Sequence, residues 1–186
     1  MARSSPVVRQ AIAVLLCALL AATPAGAAAA RATQRLKALA AARLSLRDAI
    51  AAAQQKIEGR PFDSSFEVDA GRYVYTVDLA TADGLVELVV DPGSGDSRPS
   101  AATPRLSEDV EVQLAILPEM RVALGDAIAT AEHLLGGKAL EASVSTDPRL
   151  VAYEIKVVKD RSYQTVIVDG RNGGIIGNDE DDDDDD

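Results

Sequence analysis

Two aspartates that each follow an apolar stretch and precede a glycine-containing turn are the residues whose type and spacing most suggest chemistry. Asp91 follows Val89-Val90, and Asp169 follows Ile167-Val168. Two carboxyl groups that met in a cleft could share general acid and base roles. An aspartate at the start of such a turn more often accepts hydrogen bonds from its own backbone. We therefore expect both to be turn residues rather than a catalytic pair.

Few other side chains could do chemistry. His133 is the only histidine and Cys17 the only cysteine, so the usual zinc sites have no ligand set. Tyr75 and Tyr153 are expected to pack between a sheet and a helix. Residues 170–174 are glycine-rich but lack the Lys-Ser/Thr pair of a phosphate-binding loop. We expect no catalytic, cofactor-binding or metal-ligating residue, no cofactor, and a protein that is not an enzyme.

The first 27 residues have the order of a secretory signal peptide. Arg3 and Arg9 precede an uncharged apolar run at residues 11–22, and the small residues Ala25-Gly26-Ala27 come after it. This order predicts export, with cleavage after Ala27 or Ala30. The run is shorter than the roughly 20 residues that a membrane-spanning helix needs. We expect a periplasmic or secreted protein with no stable membrane span after cleavage.

The net charge of −10 is concentrated at the C-terminus. Eight of the 29 acidic residues form the last eight positions, residues 179–186. Clustered acids repel one another and bury nothing, so this tail is predicted to be disordered. The rest of the chain is mildly acidic and mixed in sign, which argues against nucleic acid as a partner. Two interpretations of the tail are left open: a segment that only keeps the protein solvated, or weak binding of Ca²⁺ through its carboxylates.

The strongest pattern in the chain is an internal repeat at an offset of 78 residues. Residues 46–95 align with residues 124–173 without a gap, and 13 of the 50 positions are identical. A period of this length indicates a duplicated domain rather than a solenoid. The identical positions include Leu46/Leu124, Asp48/Asp126, Ala49/Ala127, Ile50/Ile128, Gly59/Gly137, Tyr75/Tyr153 and Asp91/Asp169.

Each copy has the pattern of one helix followed by three strands. An apolar stripe at helical spacing begins at Leu46, with Ser45 as N-cap and Asp48 completing a capping box. Apolar and polar residues then alternate, as in strands. The expected fold class is α+β, with two tandem small domains, each one helix packed on a three-stranded antiparallel sheet. The expected boundaries are a signal peptide at 1–27, an N-terminal helical segment at 28–43, a first domain at 44–95, a linker at 96–120, a second domain at 121–178 and the disordered acidic tail at 179–186.

Both copies resemble the PepSY domain family. The shared features are a helix containing Asp-Ala-Ile, a glycine after it, a strand with tyrosine two residues before an aliphatic residue, and a strand that ends in Val-Asp before a glycine turn. They stand at residues 46–53, Gly59, Tyr75-Thr76-Val77 and residues 89–95, and again at residues 124–131, Gly137, Tyr153-Glu154-Ile155 and residues 167–173. The resemblance implies a tandem PepSY-domain protein exported by a bacterium, since such domains occur in envelope proteins, often in pairs.

The resemblance also implies a role. PepSY domains occur in the propeptides of thermolysin-like metalloproteases, and the family is not an enzyme family. We therefore expect a non-catalytic exported binding module that restrains or modulates a secreted or periplasmic protease, with that peptidase or another envelope protein as partner. Contact through a sheet edge would be the simplest mode. The alternative is an acidic Ca²⁺-binding or sensory accessory protein of the cell envelope.

Overall fold

Residues 24–101 and 106–181, which the computed structural model describes, each form helices followed by four antiparallel strands. We call these two ranges the first and the second half. The helices are α1 (Pro24–Ala41), α2 (Leu46–Lys56), α3 (Glu108–Ile116), which runs into a 3₁₀ turn (Leu117–Glu119), and α4 (Leu124–Leu135). The strands are β1 (Arg60–Asp69), β2 (Arg72–Thr81), β3 (Gly84–Val90), β4 (Ser97–Pro99), β5 (Lys138–Val144), β6 (Ala152–Lys159), β7 (Ser162–Asp169) and β8 (Ile175–Asp181).

Helix α2 forms where the sequence predicts it, with the predicted cap. The Ser45 hydroxyl accepts the N–H of Asp48 (3.2 Å), and the Asp48 carboxylate accepts the N–H of Ser45 (2.9 Å). This confirms the capping box, which satisfies two of the backbone donors that a helix start leaves free. Leu46 and Ile50 are buried on the stripe that faces the sheet.

The strands form one antiparallel sheet in the order β4-β3-β2-β1-β5-β6-β7-β8. The α+β class is confirmed, but the two expected three-stranded sheets each have a fourth strand, and they are joined. The join is a short antiparallel pairing of residues 63–65 in β1 with residues 141–143 in β5, which we call the seam. It forms because β1 and β5 would otherwise each be an unpaired edge of the sheet in their own half. An unpaired edge strand tends to pair with another strand that approaches it.

The core lies between one face of this sheet and helices α2 and α4, which also contact each other. Both halves contribute to a single cluster of buried residues, which includes Phe62, Phe66 and Tyr75 from the first half and Ile128 and Tyr153 from the second. The two halves therefore share one core across the seam. We call the sheet face away from α2 and α4 the outer face.

Three expected boundaries differ from the structure. The expected linker at 96–120 contains β4, which pairs with β3, and the helix α3. The expected N-terminal helical segment at 28–43 is helical as far as Ala41, and its helix α1 begins at Pro24, within the last residues assigned to the signal peptide. Residues 179–181, assigned to the disordered tail, continue β8 along β7. Residues 1–23 and 182–186, which hold most of the signal peptide and the rest of the tail, lie outside the described residues.

The sequence repeat is also a repeat of backbone contacts. The N–H of Leu44 donates to the carbonyl of Pro92 (3.1 Å), and the N–H of Val122 donates to the carbonyl of Gly170 (2.9 Å). Both residues of the second bond lie 78 positions after those of the first. The elements follow the same order in the two halves, with α3 in the place of the C-terminal part of α1.

Candidate functional site

Asp91 and Asp169 occupy equivalent turns and do not meet. Asp91 Oδ1 accepts the N–H groups of Gly93 (2.8 Å) and Ser94 (2.9 Å). Asp169 Oδ1 accepts those of the two residues at the same offsets, at 2.7 and 3.0 Å. The backbone bonds from Ser94 and Gly93 lower the pKa of Asp91, as expected for a carboxylate that accepts several donors. These aspartates hold turns, in agreement with the prediction from their positions.

Tyr75 and Tyr153 are buried between the sheet and the segments that precede α2 and α4. The Tyr75 hydroxyl donates to the carbonyl of Leu44 (2.7 Å), and the Tyr153 hydroxyl donates to the carbonyl of Val122 (2.8 Å). Burial raises the pKa of Tyr75 to about 12, so the hydroxyl stays protonated and acts as a donor. Both tyrosines position backbone.

The seam is closed at its two ends by one polar side chain from each half. Arg35 of α1 donates to the carbonyl of Phe66 (2.6 Å), the first residue beyond the seam in β1. Gln113 of α3, 78 positions later, donates to the carbonyl of Val144 (2.9 Å), the first residue beyond the seam in β5. Arg35 also forms an ion pair with Glu141 across the seam (2.7 Å). Helix α1 links the two halves through the Arg35–Glu141 ion pair, and helix α3 links them through the hydrogen bond between Gln113 and Asp63.

Three carboxyl groups stand in a row on the outer face of β1, β2 and β3. Asp63 pairs with Asp78 in the β1–β2 ladder, and Asp78 pairs with Glu87 in the β2–β3 ladder. Side chains alternate between the faces of a strand, so all three lie opposite the face that carries Phe66 and Tyr75. Like charges directly across a ladder destabilise a sheet. We call Asp63, Asp78 and Glu87 the carboxylate row.

Two members of the row hold protons near neutral pH. Burial raises the pKa of Asp63 to about 7, and Glu141 and Glu67 add to the rise. Burial also raises the pKa of Asp78 to about 7, with Asp63 the next cause. Asp78 Oδ1 is buried and has no hydrogen-bond partner among the described residues. A buried carboxylate without a donor is costly, so protonation relieves it.

In the second half, the positions equivalent to Asp63 and Asp78 carry opposite charges. The equivalent of Asp63 is Glu141, and the equivalent of Asp78 is Lys156, which pairs with Glu141 in the β5–β6 ladder. Arg35 supplies a second cation to Glu141, whereas its counterpart beside Asp63 is the neutral Gln113. The positions equivalent to Arg35 and Lys156 thus hold a neutral amide and an acid around Asp63.

Sequence reasoning missed the carboxylate row. Asp63 and Asp78 do occupy polar positions in strands that alternate, which is a signal that they share one face. Their direct opposition depends on the register of β1 on β2, which includes a bulge between Pro61 and Asp63. The bulge is a local feature that the alternation does not reveal.

The two outer strands of the sheet differ as binding edges. β4 has three residues and contains Pro99, which has no N–H, whereas β8 has seven residues and no proline. Short, proline-containing edges resist further pairing, and a long regular edge invites it. Of the two edges in the described part of the chain, β8 is the one suited to the addition of another strand.

The pairing of β8 with β7 determines which backbone groups of β8 point away from the sheet. The N–H of Asp169 donates to the carbonyl of Gly174 (2.7 Å), so alternate residues of β7, including Ile167, direct their backbone groups to β8. Ile167 pairs with Gly177. The next residue, Asn178, is then in a non-hydrogen-bonded pair, and its N–H and C=O point away from the sheet.

The remaining candidate features are the single histidine and a cleft between two helices. His133 is exposed in the last turn of α4. A cleft of ≈ 450 Å³ between α2 and α4 is lined by charges of both signs, among them Asp48, Arg60 and Asp126. In residues 24–101 and 106–181, no group of three or more His, Cys, Asp or Glu side chains is placed to hold a metal ion. No helix within these ranges is long and apolar enough to cross a bilayer.

Comparison with known proteins gives one family and one structure. Residues 43–96 match the PepSY family, described as "Peptidase propeptide and YPEB domain". A crystal structure of a proposed lipoprotein from Clostridium difficile 630 is 21% identical, with 75% of this chain and 94% of that chain covered and a TM-score of 0.41. No curated protein matches the chain.

The matched range contains α2 and the strands β1 to β3, and it ends just before β4. It therefore has the helix, glycine, tyrosine strand and Val-Asp strand that carry the resemblance in sequence. The match covers the first copy and does not extend to the second. Residues 43–96 are therefore similar to a PepSY domain.

Proposed function

We propose that this chain is an exported, non-catalytic binding module, not an enzyme, that restrains or modulates a secreted or periplasmic peptidase. The observation that carries the proposal is the match of residues 43–96 to a family described by its occurrence in peptidase propeptides. The second half, with the same element order and the same backbone contacts, acts as a second PepSY-like domain. Periplasmic or secreted localisation follows from the signal-peptide pattern at residues 1–27.

The geometry supports a binding role because the repeated polar side chains are already engaged within the fold. The repeated aspartates hold turns, and the repeated tyrosines hold backbone carbonyls. The surface of the protein is thus what is available for binding a partner. On it, β8 offers an edge to which an extended peptidase segment can add as a strand. Main-chain hydrogen bonds then supply affinity without any special side chain.

An inhibition assay tests the proposal. Residues 28–186 are titrated into a thermolysin-like metallopeptidase and into the secreted fraction of the host, and casein hydrolysis is followed. The expected result is a saturable fall in the hydrolysis rate. An unchanged rate in both preparations, or cleavage of the added protein as an ordinary substrate, would contradict the proposed function.

A matched pair of variants at one residue tests the mode of contact. Asn178→Pro removes an outward N–H from the edge of β8, and Asn178→Ala keeps it. Proline is tolerated on an edge strand where its nitrogen faces solvent, so both variants are expected to fold. Loss of inhibition in Asn178→Pro and its retention in Asn178→Ala would support strand addition. Equal inhibition by both would show that the peptidase binds elsewhere.

A further inference from the structure

The carboxylate row begins at the seam, and this placement links protonation to the contact between the halves. Asp63 is one of the three β1 residues that pair with β5, opposite Ser143. Its direct neighbour in β2 is Asp78. We propose that Asp63 and Asp78 form a proton-operated switch that keeps the seam closed when the pair holds a proton and loosens it when both groups ionise.

The surroundings of the pair offer it little positive charge. Glu67 on β1, Glu87 on β3 and Glu141 on β5 face the pair with the same sign. From α3, the packed side chain is Gln113, which contributes a hydrogen bond to Asp63 but no charge.

Two cations of this region form ion pairs with other carboxylates. Arg35 on α1 is bound to Glu141 and acts on Glu67. Lys156 on β6 stands opposite Glu141. Arg98 on the edge strand β4 is bound to Asp69. Binding one proton to the pair therefore removes the repulsion between Asp63 and Asp78.

The seam is the weak point on which such repulsion acts. It consists of three residue pairs, whereas β1 and β2 pair along almost the whole of both strands. A short ladder is opened by a smaller free-energy change than a long one. When both carboxyl groups ionise, Asp63 repels Asp78 on β2 and Glu141 on β5. Because the pairing of β1 with β5 is the shorter of the two, we expect the seam to yield.

The direction of the pH dependence follows from the two pKa values. Asp63 and Asp78 have folded-state pKa values of about 7 against an ordinary value of 3.8. The folded protein therefore holds protons that the unfolded chain releases. This stability is fully present below pH 3.8 and is lost as the pH rises through 7. Asp48, Asp91 and Asp147, whose pKa values are lowered, stay ionised between pH 5 and 8 and do not obscure it.

Carbon-13 NMR of the side-chain carboxyl groups in the full chain is the first test. It needs no variant, so a folding failure cannot mask the result. Two aspartate resonances titrating near pH 7, about three pH units above the ordinary value of 3.8, are expected. If every aspartate titrates below pH 5, the proposal is overturned.

The second half provides the variant that should remove the switch. Asp78→Lys copies Lys156 and places a cation beside Asp63. We expect the urea midpoint of the wild type to fall from pH 5.5 to pH 8 and that of Asp78→Lys to stay level. Asp83→Asn, at an exposed turn, and His133→Gln, which removes the only histidine, should keep the wild-type slope. A level wild type, or an equal slope in Asp78→Lys, would refute the switch.

Hydrogen exchange locates the effect in the sheet. After correction for intrinsic rates, the amides of residues 63–65 and 141–143 should lose at least tenfold in protection between pH 5.5 and pH 8. The amides of the long β6–β7 ladder serve as the internal control and should not change. Uniform loss across the sheet would mean that ionisation destabilises the whole fold and does not act on the seam.

Discussion

The hydroxyl of Tyr75 donates to the backbone carbonyl of Leu44 at 2.7 Å. The same bond recurs 78 residues later, from Tyr153 to Val122, at 2.8 Å. Each bond ties a central strand of one half to the chain just before its helix. The offset found in the sequence is therefore an offset between equivalent positions in space.

Removal of either hydroxyl should leave a half-buried carbonyl without its donor. Tyr75→Phe and Tyr153→Phe are each expected to lower the free energy of unfolding by about 1–2 kcal/mol, measured by urea denaturation. Tyr73→Phe is the control, since its half-buried ring stacks on Phe66 with centroids 5.6 Å apart. Its effect should stay within about 0.5 kcal/mol. Equal losses in all three variants would show that the ring environment, and not the bond to the carbonyl, is responsible.

The N-cap residues of α2 and α4 can be tested by opposite substitutions. Ser45 caps α2, whereas its counterpart Ala123 gives α4 no side-chain cap, although Asp126 stands where a capping box needs it. Ser45→Ala should cost about 1 kcal/mol, and Ala123→Ser should gain about 0.5–1 kcal/mol. Thermal unfolding followed by circular dichroism measures both. A destabilising Ala123→Ser would show that the backbone before α4 does not allow the cap geometry.

Much of the fold could be predicted because its signals are local. The stripe that begins at Leu46, the Ser45 cap, the alternation around Tyr75 and the turn at Asp91 each depend on a few neighbouring residues. The repeat then doubled the evidence at each position. The α+β class, the main helices and the strands β1 to β3 and β5 to β7 all follow from such signals.

The features that sequence reasoning missed depend on contacts between distant segments. Joining the sheets at residues 63–65 and 141–143 requires β1 and β5 to meet, and no periodicity encodes that. The role of α1 depends on Arg35 reaching Glu141, 106 positions away. The carboxylate row depends on register across three strands. The proposed function rests on family resemblance, because the repeated residues serve the core and the turns.

A glycine at the start of β5 is required by close backbone packing. A Cβ on Gly137 would clash with the carbonyl oxygen of Val158, which cannot move without disturbing the sheet. Gly137→Ala is expected to lower stability by about 1–3 kcal/mol, the usual cost of overpacking. Gly125→Ala in α4, where nothing lies within 4 Å, should be neutral or gain up to about 1 kcal/mol. Urea denaturation of both variants checks the contrast, and a stable Gly137→Ala would refute the packing argument.

Arg35 should contribute more stability than an exposed ion pair of similar length. Its guanidinium donates to the carbonyl of Phe66 and to Glu141 at 2.6 and 2.7 Å, with the side chain mostly buried. Arg35→Ala is expected to cost about 2 kcal/mol, since charge-assisted bonds to groups with few alternatives are the strong ones. Arg149→Ala removes an exposed guanidinium that pairs with Asp147 and should leave the urea midpoint nearly unchanged.

The conservative substitution Arg35→Gln separates the two bonds of Arg35. It copies Gln113, which donates to a carbonyl at the other end of the seam without supplying charge. If the carbonyl bond is the main contribution, Arg35→Gln should recover most of the stability that Arg35→Ala loses. If the ion pair with Glu141 is the larger contribution, Arg35→Gln should lower stability nearly as much as Arg35→Ala. Adding Glu141→Gln should then reduce that loss of stability. A loss in Arg35→Ala no larger than in Arg149→Ala would show that α1 does not hold the seam.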